Sequence, residues 1–360
     1  MALSEPRTDA PGVPADHGFH LLRVADVVRE TAEASSFVLD VPPDLRAAFA
    51  YEAGQFCTFR VRVGGESHLR CYSMSSAPVV DTELKVTVKR TPDGVVSNWM
   101  NDHLAPGDPI EVTRPAGVFT LGGGGDFGGG GDLVALSAGS GITPVLSLLK
   151  TALATTPRRV SLLYANHDEA AIIFRSELDA LRARHEDRFH VQHHLDVDQG
   201  FIGADAVRRF TDTAQDPEFY ICGPGPFMDI VEGTLLDGGV EADRIHIERF
   251  TPDGWVPEVD DADIALGPSQ VTIELDGRTE STGHRPGTTI LQTARQMGMS
   301  PPFSCEAGSC ATCMARVLEG TASMHVNNAL TEDEVAGGWV LTCQAVPTSP
   351  LVRVAYGYEE

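Results

Sequence analysis

The stretch CEAGSCATC, residues 305–313, constrains this chain more than any other. Cys305, Cys310 and Cys313 are spaced C-x4-C-x2-C, and Cys343 follows 30 positions later inside VLTCQAV. Four thiolates must converge on two irons in a 2Fe–2S cluster. A short loop can wrap three of them around one side, and the fourth must arrive from a separate element. The small residues between the ligands (Ala307, Gly308, Ser309, Ala311) let the backbone come close and aim its N–H groups at sulfur. Zinc is the rival. Structural zinc sites usually pair two short C-x2-C units, whereas one such pair exists here and no His sits at ligand spacing near Cys343. The other three cysteines, Cys57, Cys71 and Cys222, stand singly, and no export signal accompanies them, so a disulfide framework is not expected. The four thiols are expected to hold a 2Fe–2S cluster.

The surroundings suit that requirement. VTIELDG (271–277) and TESTG (279–283) read as a hairpin, and TTILQTARQMG (288–298) as a helix with Ile290, Leu291, Ala294 and Met297 on one face. CMARVLEG (313–320), WVLTCQAV (339–346) and LVRVAYG (351–357) each read as one strand. A small mixed sheet wrapped over one helix is expected across 269–360. Before it, residues 251–268 hold five acidic residues, three prolines and no basic residue, and read as a solvated tether.

Residues 19–120 carry six strand-like segments: HLLRVADVVRE, SSFVLDV, QFCTFRVRV, HLRCYSM, ELKVTVKR and PIEVTRP. ELKVTVKR alternates, with Leu84, Val86 and Val88 opposite Lys85, Thr87 and Lys89. Six strands with one helical insert, SNWMNDHL, suggest a closed antiparallel barrel. The glycine-rich run at 121–131 lacks the Lys-Ser/Thr pair of a phosphate loop and reads as a surface linker. Residues 132–250 change rhythm. The strand-like DLVALS, RRVSLLY, RFHVQHHL, EFYIC and RIHIE alternate with helical stretches, which means βαβ units and a parallel sheet. Residues 1–18 read as a disordered leader, and no apolar run is long enough to span a membrane.

Several short motifs could carry chemistry. In RCYSMSSAP (70–78), Arg70 and Tyr72 share a strand face, so a cation for phosphate lies beside a ring for stacking, with the Ser73 hydroxyl next in line. In DGVVSNWMNDHL (93–104), Gly94 precedes Ser97, which is expected to cap a helix whose start near Arg70 makes a diphosphate site. In AGSGITP (138–144), Gly139 and Gly141 allow a tight turn before a helix, although the full G-x-G-x-x-G is absent and a plain turn stays open. CGPGPFM (222–228) ends a parallel strand, where ligands of open α/β sheets bind; a buried Cys222 and turn glycines Gly223 and Gly225 are the plain alternatives. His193 and His194 are adjacent on a strand and point to opposite faces, so one metal does not take both.

In order, RCYSMSS, GVVSNWM, AGSGITP, CGPGPF and IERF, followed by the cysteine cluster, resemble the ferredoxin–NADP reductase superfamily with a plant-type ferredoxin at its C-terminus. Within it the chain is most similar to reductase components of bacterial oxygenases, over residues 20–360. The resemblance implies a six-stranded antiparallel flavin barrel, a parallel-sheet nicotinamide-binding domain and a β-grasp ferredoxin domain. It implies that Arg70 binds the flavin phosphate, Tyr72 stacks on the ring, Ser73 meets its N5 edge and Ser76 completes the motif. Val88, Lys89 and Arg90 then line the flavin, and Gly94, Val96 and Ser97 receive a pyrophosphate, which favours FAD over FMN. Thr143, Cys222 and Gly223 sit near the nicotinamide, with Glu248 and Phe250 beside the flavin ring. In the loop YANHDEAAIIF (164–174), Asn166, His167 and Asp168 lack the cation that a 2′-phosphate wants, which favours NADH over NADPH.

The expected function is electron transfer from NADH through FAD and 2Fe–2S to a terminal oxygenase in the cytoplasm. The partner could be of Rieske, diiron or haem type. A redox-sensing regulator is the reading from another class, but it needs a DNA-binding or signalling module that the sequence does not display. With 27 basic and 51 acidic residues, the net charge of -24 repels phosphate backbones and argues against nucleic acid.

Overall fold

The computed structural model describes residues 19–121, 131–249, 269–275, 277–285, 287–299, 301–303, 308, 311–327 and 329–356. The expected leader (1–18), glycine run (122–130) and tether (251–268) lie outside the described residues, as do Phe250, Cys305 and Cys310. The chain divides into two compact units, one holding strands β1–β11 and the other β12–β18.

The first unit opens with β1 (Phe19–Thr31), β2 (Ala34–Asp40), β3 (Phe56–Val63), β4 (Glu66–Ser73), β5 (Leu84–Lys89) and β6 (Pro109–Thr113), with helix α1 (Val95–His103) between the last two. These are the six segments read from the sequence. They form an antiparallel sheet in the order β4-β3-β6-β1-β2-β5, and an isolated bridge between Met74 and Val86 joins its two ends into a barrel. Alternation explains the filling. Phe37, Phe59, Met74, Val86 and Val88 point inward and are fully buried, each contributing roughly 1.5–3 kcal/mol by leaving water.

A parallel sheet follows: β7 (Leu133–Ala138), β8 (Val160–Asn166), β9 (Phe189–Leu195), β10 (Glu218–Cys222) and β11 (Ile245–Glu248), ordered β11-β10-β7-β8-β9. Helices α2 (Ile142–Thr155) and α3 (Arg175–Arg184) share an apolar cluster with one face. The short α4 (Asp196–Gln199) follows β9, and α5 (Ala204–Thr211) and α6 (Gly225–Asp237) cover the other face. β7 is buried along its whole length, as a central parallel strand must be, which is why LVALSA reads as an unbroken apolar run. The order reverses between β7 and β10, the point in an open α/β sheet where a ligand crevice forms. Ala34, Ala53 and Phe119 of the barrel belong to the same buried cluster as α2, so barrel and sheet form one body.

The second unit holds β12 (Ser269–Leu275), β13 (Arg278–His284), α7 (Ile290–Gln296), β14 (Met314–Glu319), β15 (Ala322–Met324), α8 (Glu332–Ala336), β16 (Trp339–Leu341), β17 (Ala345–Pro347) and β18 (Leu351–Ala355). A five-stranded mixed sheet, β13-β12-β18-β14-β16, covers α7, whose Thr289 and Gln292 form a capping box. One expectation is corrected. WVLTCQAV is not a single strand. Gln344 N–H donates to Leu341 O and turns the chain, so β16 stays with β14 while β17 pairs with β15. A continuous strand would keep Cys343 in a pleat; the turn releases it from the sheet.

Candidate functional site

At the end of β4, Arg70 and Tyr72 are half-buried on one face, and Tyr72 meets Phe59 edge-on at 5.5 Å. Ser73 is 2% exposed and its buried Oγ has no hydrogen-bond partner. An orphaned hydroxyl at that depth costs roughly 1–3 kcal/mol unless something supplies its partner, and a flavin edge fits. Ser76 differs: its Oγ accepts from Lys85 N at 2.9 Å and lies 2.6 Å from the Tyr51 hydroxyl, so it holds the protein to itself. Val88 is buried behind the strand, and Lys89 reaches outward until its Nζ lies 3.5 Å from where a Cβ on Gly139 would stand.

Ser97 is not the helix cap expected of it. α1 begins two residues earlier, with Gly94 as N-cap and no side-chain cap bond, and the Ser97 Oγ instead accepts from Thr91 N at 3.1 Å. Serine suits a cap, but here its hydroxyl serves the turn before the helix. A Cβ on Gly94 would come within 2.7 Å of that hydroxyl. Val96 packs inward. The first N–H groups of α1 thus lack side-chain partners, a seat that fits a pyrophosphate.

At the switch point the two glycine motifs meet. A Cβ on Gly141 would fall 2.0 Å from Cys222 O, and one on Gly223 would fall 2.8 Å from the Phe227 ring and 3.1 Å from the Ala138 side chain, so the two turns can approach only because each glycine lacks a side chain of its own. Gly139 is held by Tyr164, whose hydroxyl donates to its carbonyl at 2.9 Å. The Thr143 hydroxyl donates to Ser140 O at 3.0 Å and closes the turn. Gly225 is exposed with open space around it at the start of α6, and neither α2 nor α6 has a side-chain cap. Asn166, buried at the end of β8, has neither amide atom in a hydrogen bond, whereas Asp168 Oδ1 accepts from Ala171 N at 3.0 Å. The exposed start of α6 and the orphaned amide atoms of Asn166 fit a dinucleotide.

Cys222 and Glu248 stand opposite one another on β10 and β11, both buried. Burial, with Glu248 nearby, pushes the Cys222 thiol well up, and burial alone lifts the Glu248 carboxyl from 4.5 to about 8. The sign follows. A carboxyl raised on folding contributes stability below its unfolded value and loses it as pH climbs through 8. Glu248→Gln, which cannot ionise, is therefore expected to gain in melting temperature relative to the parent as pH rises from about 5 to about 8, by the equivalent of a few kcal/mol at most. An identical difference at both pH values would mean that the carboxyl ionises freely. His193 lies 6.0 Å from Tyr164, and His194 Nε2 lies 2.8 Å from Gly200 O, so the two histidines have separate surroundings.

In the second unit, Cys313 and Cys343 are each 2% exposed and their thiols are hydrogen-bonded to one another. That contact, then burial, pushes the Cys313 thiol well above its ordinary value, so two thiolates side by side call for a cation between them. Thr342 fixes the pair: its N and Oγ1 both donate to Cys313 O, at 3.2 and 2.8 Å, and the Tyr356 hydroxyl donates to Thr342 Oγ1 at 2.8 Å. Ala311 sits at φ 52°, a left-handed conformation that a loop wrapped tightly around a centre would impose. The donor set and its burial fit an iron–sulfur cluster. Sequence reasoning missed Tyr164, Thr342 and Tyr356; the Thr-Cys pair in VLTCQAV is the one local hint.

Comparison with known proteins adds to this geometry. Three family models match in series: an oxidoreductase FAD-binding domain over 22–121, an oxidoreductase NAD-binding domain over 135–233 and a 2Fe-2S iron-sulfur cluster binding domain over 273–348. The ferredoxin reductase component of 3-ketosteroid-9-alpha-monooxygenase from Rhodococcus rhodochrous is 39% identical, covering 96% of this chain and 99% of that one. One component of the 1,2-phenylacetyl-CoA epoxidase of Escherichia coli (strain K12) is 34% identical, covering 94% and 98%. The solved structure of phthalate dioxygenase reductase, described as modular for electron transfer from pyridine nucleotides to 2Fe-2S, superposes with a TM-score of 0.59 at 25% identity, covering 96% of this chain and 100% of that one.

Proposed function

The chain belongs to the family of oxygenase reductase components built from FAD-binding, NAD-binding and 2Fe–2S domains, and from that premise we propose a residue-level electron path through it. The protein is an NAD(P)H-dependent oxidoreductase that passes electrons through FAD and 2Fe–2S to a terminal oxygenase. When bound, FAD supplies the exchange between a donor of electron pairs and a one-electron cluster.

The chain's own residues bind and orient. Arg70 neutralises the flavin phosphate, while the uncapped start of α1, at Gly94, Val96 and Ser97, receives the pyrophosphate. Tyr72 covers one side of the ring and Ser73 donates to its edge, with Val88 as backing and Ser76 holding the strand in place. Gly139, Gly141 and Thr143 shape the nicotinamide turn, Cys222 and Gly223 wall it, and Gly225 offers the start of α6 to phosphate. Glu248 holds a proton beside Cys222; the family resemblance gives Phe250, which lies outside the described residues, the role of the shielding aromatic. Cys305, Cys310, Cys313 and Cys343 are the cluster ligands. The observation that carries the reading is Lys89 of the flavin strand lying against Gly139 of the nicotinamide turn, so the two cofactor motifs face each other in one body.

Three finer points complete the proposal. The electron donor is NADH, because Asn166, His167 and Asp168 offer no cation to a 2′-phosphate. The partner is a Rieske-type oxygenase, as the family resemblance of the sequence implies, and its substrate is steroid-like, as the name of the Rhodococcus relative suggests. The compartment is the cytoplasm, in keeping with the absence, among the described residues, of any helix long and apolar enough to cross a membrane. Anaerobic titration tests the path: NADH is expected to bleach both the flavin and the cluster absorbance, with kcat/KM at least about tenfold above that for NADPH, about 1.4 kcal/mol of discrimination. An NADPH preference would overturn the reading of Asn166–Asp168. A chain with no visible absorbance after full iron and flavin supply would sink the electron path.

A further inference from the structure

Helix α2 carries the nicotinamide turn at its start, yet its middle is fastened to the flavin barrel. Thr143, Ser147 and Lys150 lie at i, i+4 and i+7, one stripe along a helix whose other buried positions are largely apolar. The three residues of the stripe bond in different directions. Thr143 turns back to Ser140 O. Ser147 is fully buried, and its Oγ donates to the carbonyl of Ser76, 71 residues away, at 2.6 Å. Lys150 is 7% exposed, and its ammonium lies 2.6 Å from Asp81 of the β4–β5 loop and 2.6 Å from Glu177 of α3.

The barrel side of these bonds is the flavin motif. The carbonyl that Ser147 grips belongs to the last serine of R-x-Y-S-x-x-S, and the Asp81 oxygen that Lys150 grips also accepts from Ala77 N at 2.7 Å. Both bonds therefore hold the stretch that follows Ser73. Lys85 stands 3.9 Å from Glu177, so a second ammonium group shares that carboxylate. Burial alone would depress the Lys150 ammonium, but Asp81 and Glu177 outweigh it and raise it instead, so the group stays charged. A buried lysine gripped by carboxylates from two elements is a costly way to stabilise a fold, since an apolar residue often does as well; what it supplies is a fixed geometry.

We propose that Ser147 and Lys150 are positioning residues that fix the nicotinamide turn of α2 against the flavin motif, and so set the separation of the two cofactors. This rests on the electron path above. Neither residue touches a cofactor motif's reacting groups; each acts through Ser76 or Asp81.

The test uses the full chain loaded with FAD and cluster. Lys150→Met keeps the stem and removes the charge. Mixed anaerobically with NADH, it is expected to show the rate of flavin bleaching at saturating NADH lowered about ten- to a hundredfold, the scale of effect that a small misplacement of reactants produces. The long-wavelength charge-transfer band between nicotinamide and flavin should weaken in parallel, while FAD content and the dithionite-reduced cluster spectrum stay as in the parent. Lys150→Arg should recover most of the band and rate. In FAD-free chain, amide exchange at Ala77 should rise in Lys150→Met. Unchanged rate and band in a Lys150→Met that retains FAD would overturn the proposal, as would loss that Lys150→Arg does not rescue. Should Lys150→Met fail to keep FAD, Ser147→Ala decides: a weakened band with slower bleaching supports the assignment, and parent behaviour overturns it. Absence of bleaching by NADH or NADPH in the parent would instead count against the electron path, so the two failures are separate.

Discussion

Cys343→Ser is expected to strip the chain of iron while leaving its flavin in place. The thiol is 2% exposed and touches Cys313, so the substitution puts a hydroxyl where a metal would need an anion. A serine hydroxyl does not ionise near neutral pH as a metal-bound thiol does, and Cys313, buried and alone, then stays protonated. Cluster absorbance should fall to trace, and transfer to a one-electron acceptor served by the cluster should drop by about two orders of magnitude or more. Bleaching of the flavin by NADH should continue, because the nicotinamide and flavin motifs lie in the other unit. Iron retained at the parental level would remove Cys343 from the ligand set. Zinc in place of iron in the parent, with no cluster spectrum, would return all four cysteines to a structural role.

Gly141→Ala is expected to damage the first unit more than its single methyl suggests. The added carbon would stand 2.0 Å from Cys222 O, 2.3 Å from Cys222 C and 2.7 Å from Gly223 N. None of these is the end of a flexible side chain. Two adjacent parallel strands must shift at their carboxyl ends, at a cost of about 3 kcal/mol or more. Thermal unfolding should move down by several degrees or more, and bleaching by NADH should slow sharply even where FAD is retained. Gly225→Ala supplies the contrast. It meets nothing within 4 Å at the start of α6 and should leave the melting temperature near the parental value. Equal melting temperatures for the two variants would mean that the turns around Gly141 and Gly223 do not interlock as described.

Much of this architecture is written locally. ELKVTVKR alternates and becomes β5; LVALSA runs apolar and becomes the central β7. Period two also put Arg70 and Tyr72 on one face, and cysteine spacing pointed to a cluster before any fold was known. Ser97 was misread because its residue type satisfies the cap rule, whereas the helix start was decided by the backbone at Gly94 and by Thr91 upstream. WVLTCQAV was misread because each half has strand character, and the turn at Cys343 follows from two different strand partners, β14 and β15, that no local pattern names. Ser147 and Lys150 were invisible for the same reason. Their partners are remote in sequence, and the sole local sign is a lysine embedded in a helix that is otherwise buried. Thr87 shows the limit of alternation: it shares the outer face with Lys85 and Lys89 yet is 3% exposed, because hydroxyls of Ser36 and Ser75 close over it.

The barrel has a zip fastener, and its last tooth adjoins Ser73. Five of its strand junctions are paired ladders, but the sixth is one bridge, Met74 to Val86, with the Ser75 and Ser76 amides on Lys85 O beside it. Ser73, with its orphaned hydroxyl, immediately precedes that bridge. A sheet breathes first at its shortest ladder. The residues just past the bridge are the ones that Ser147 and Lys150 reach from α2, so the closing seam of the barrel is latched from the neighbouring sheet domain.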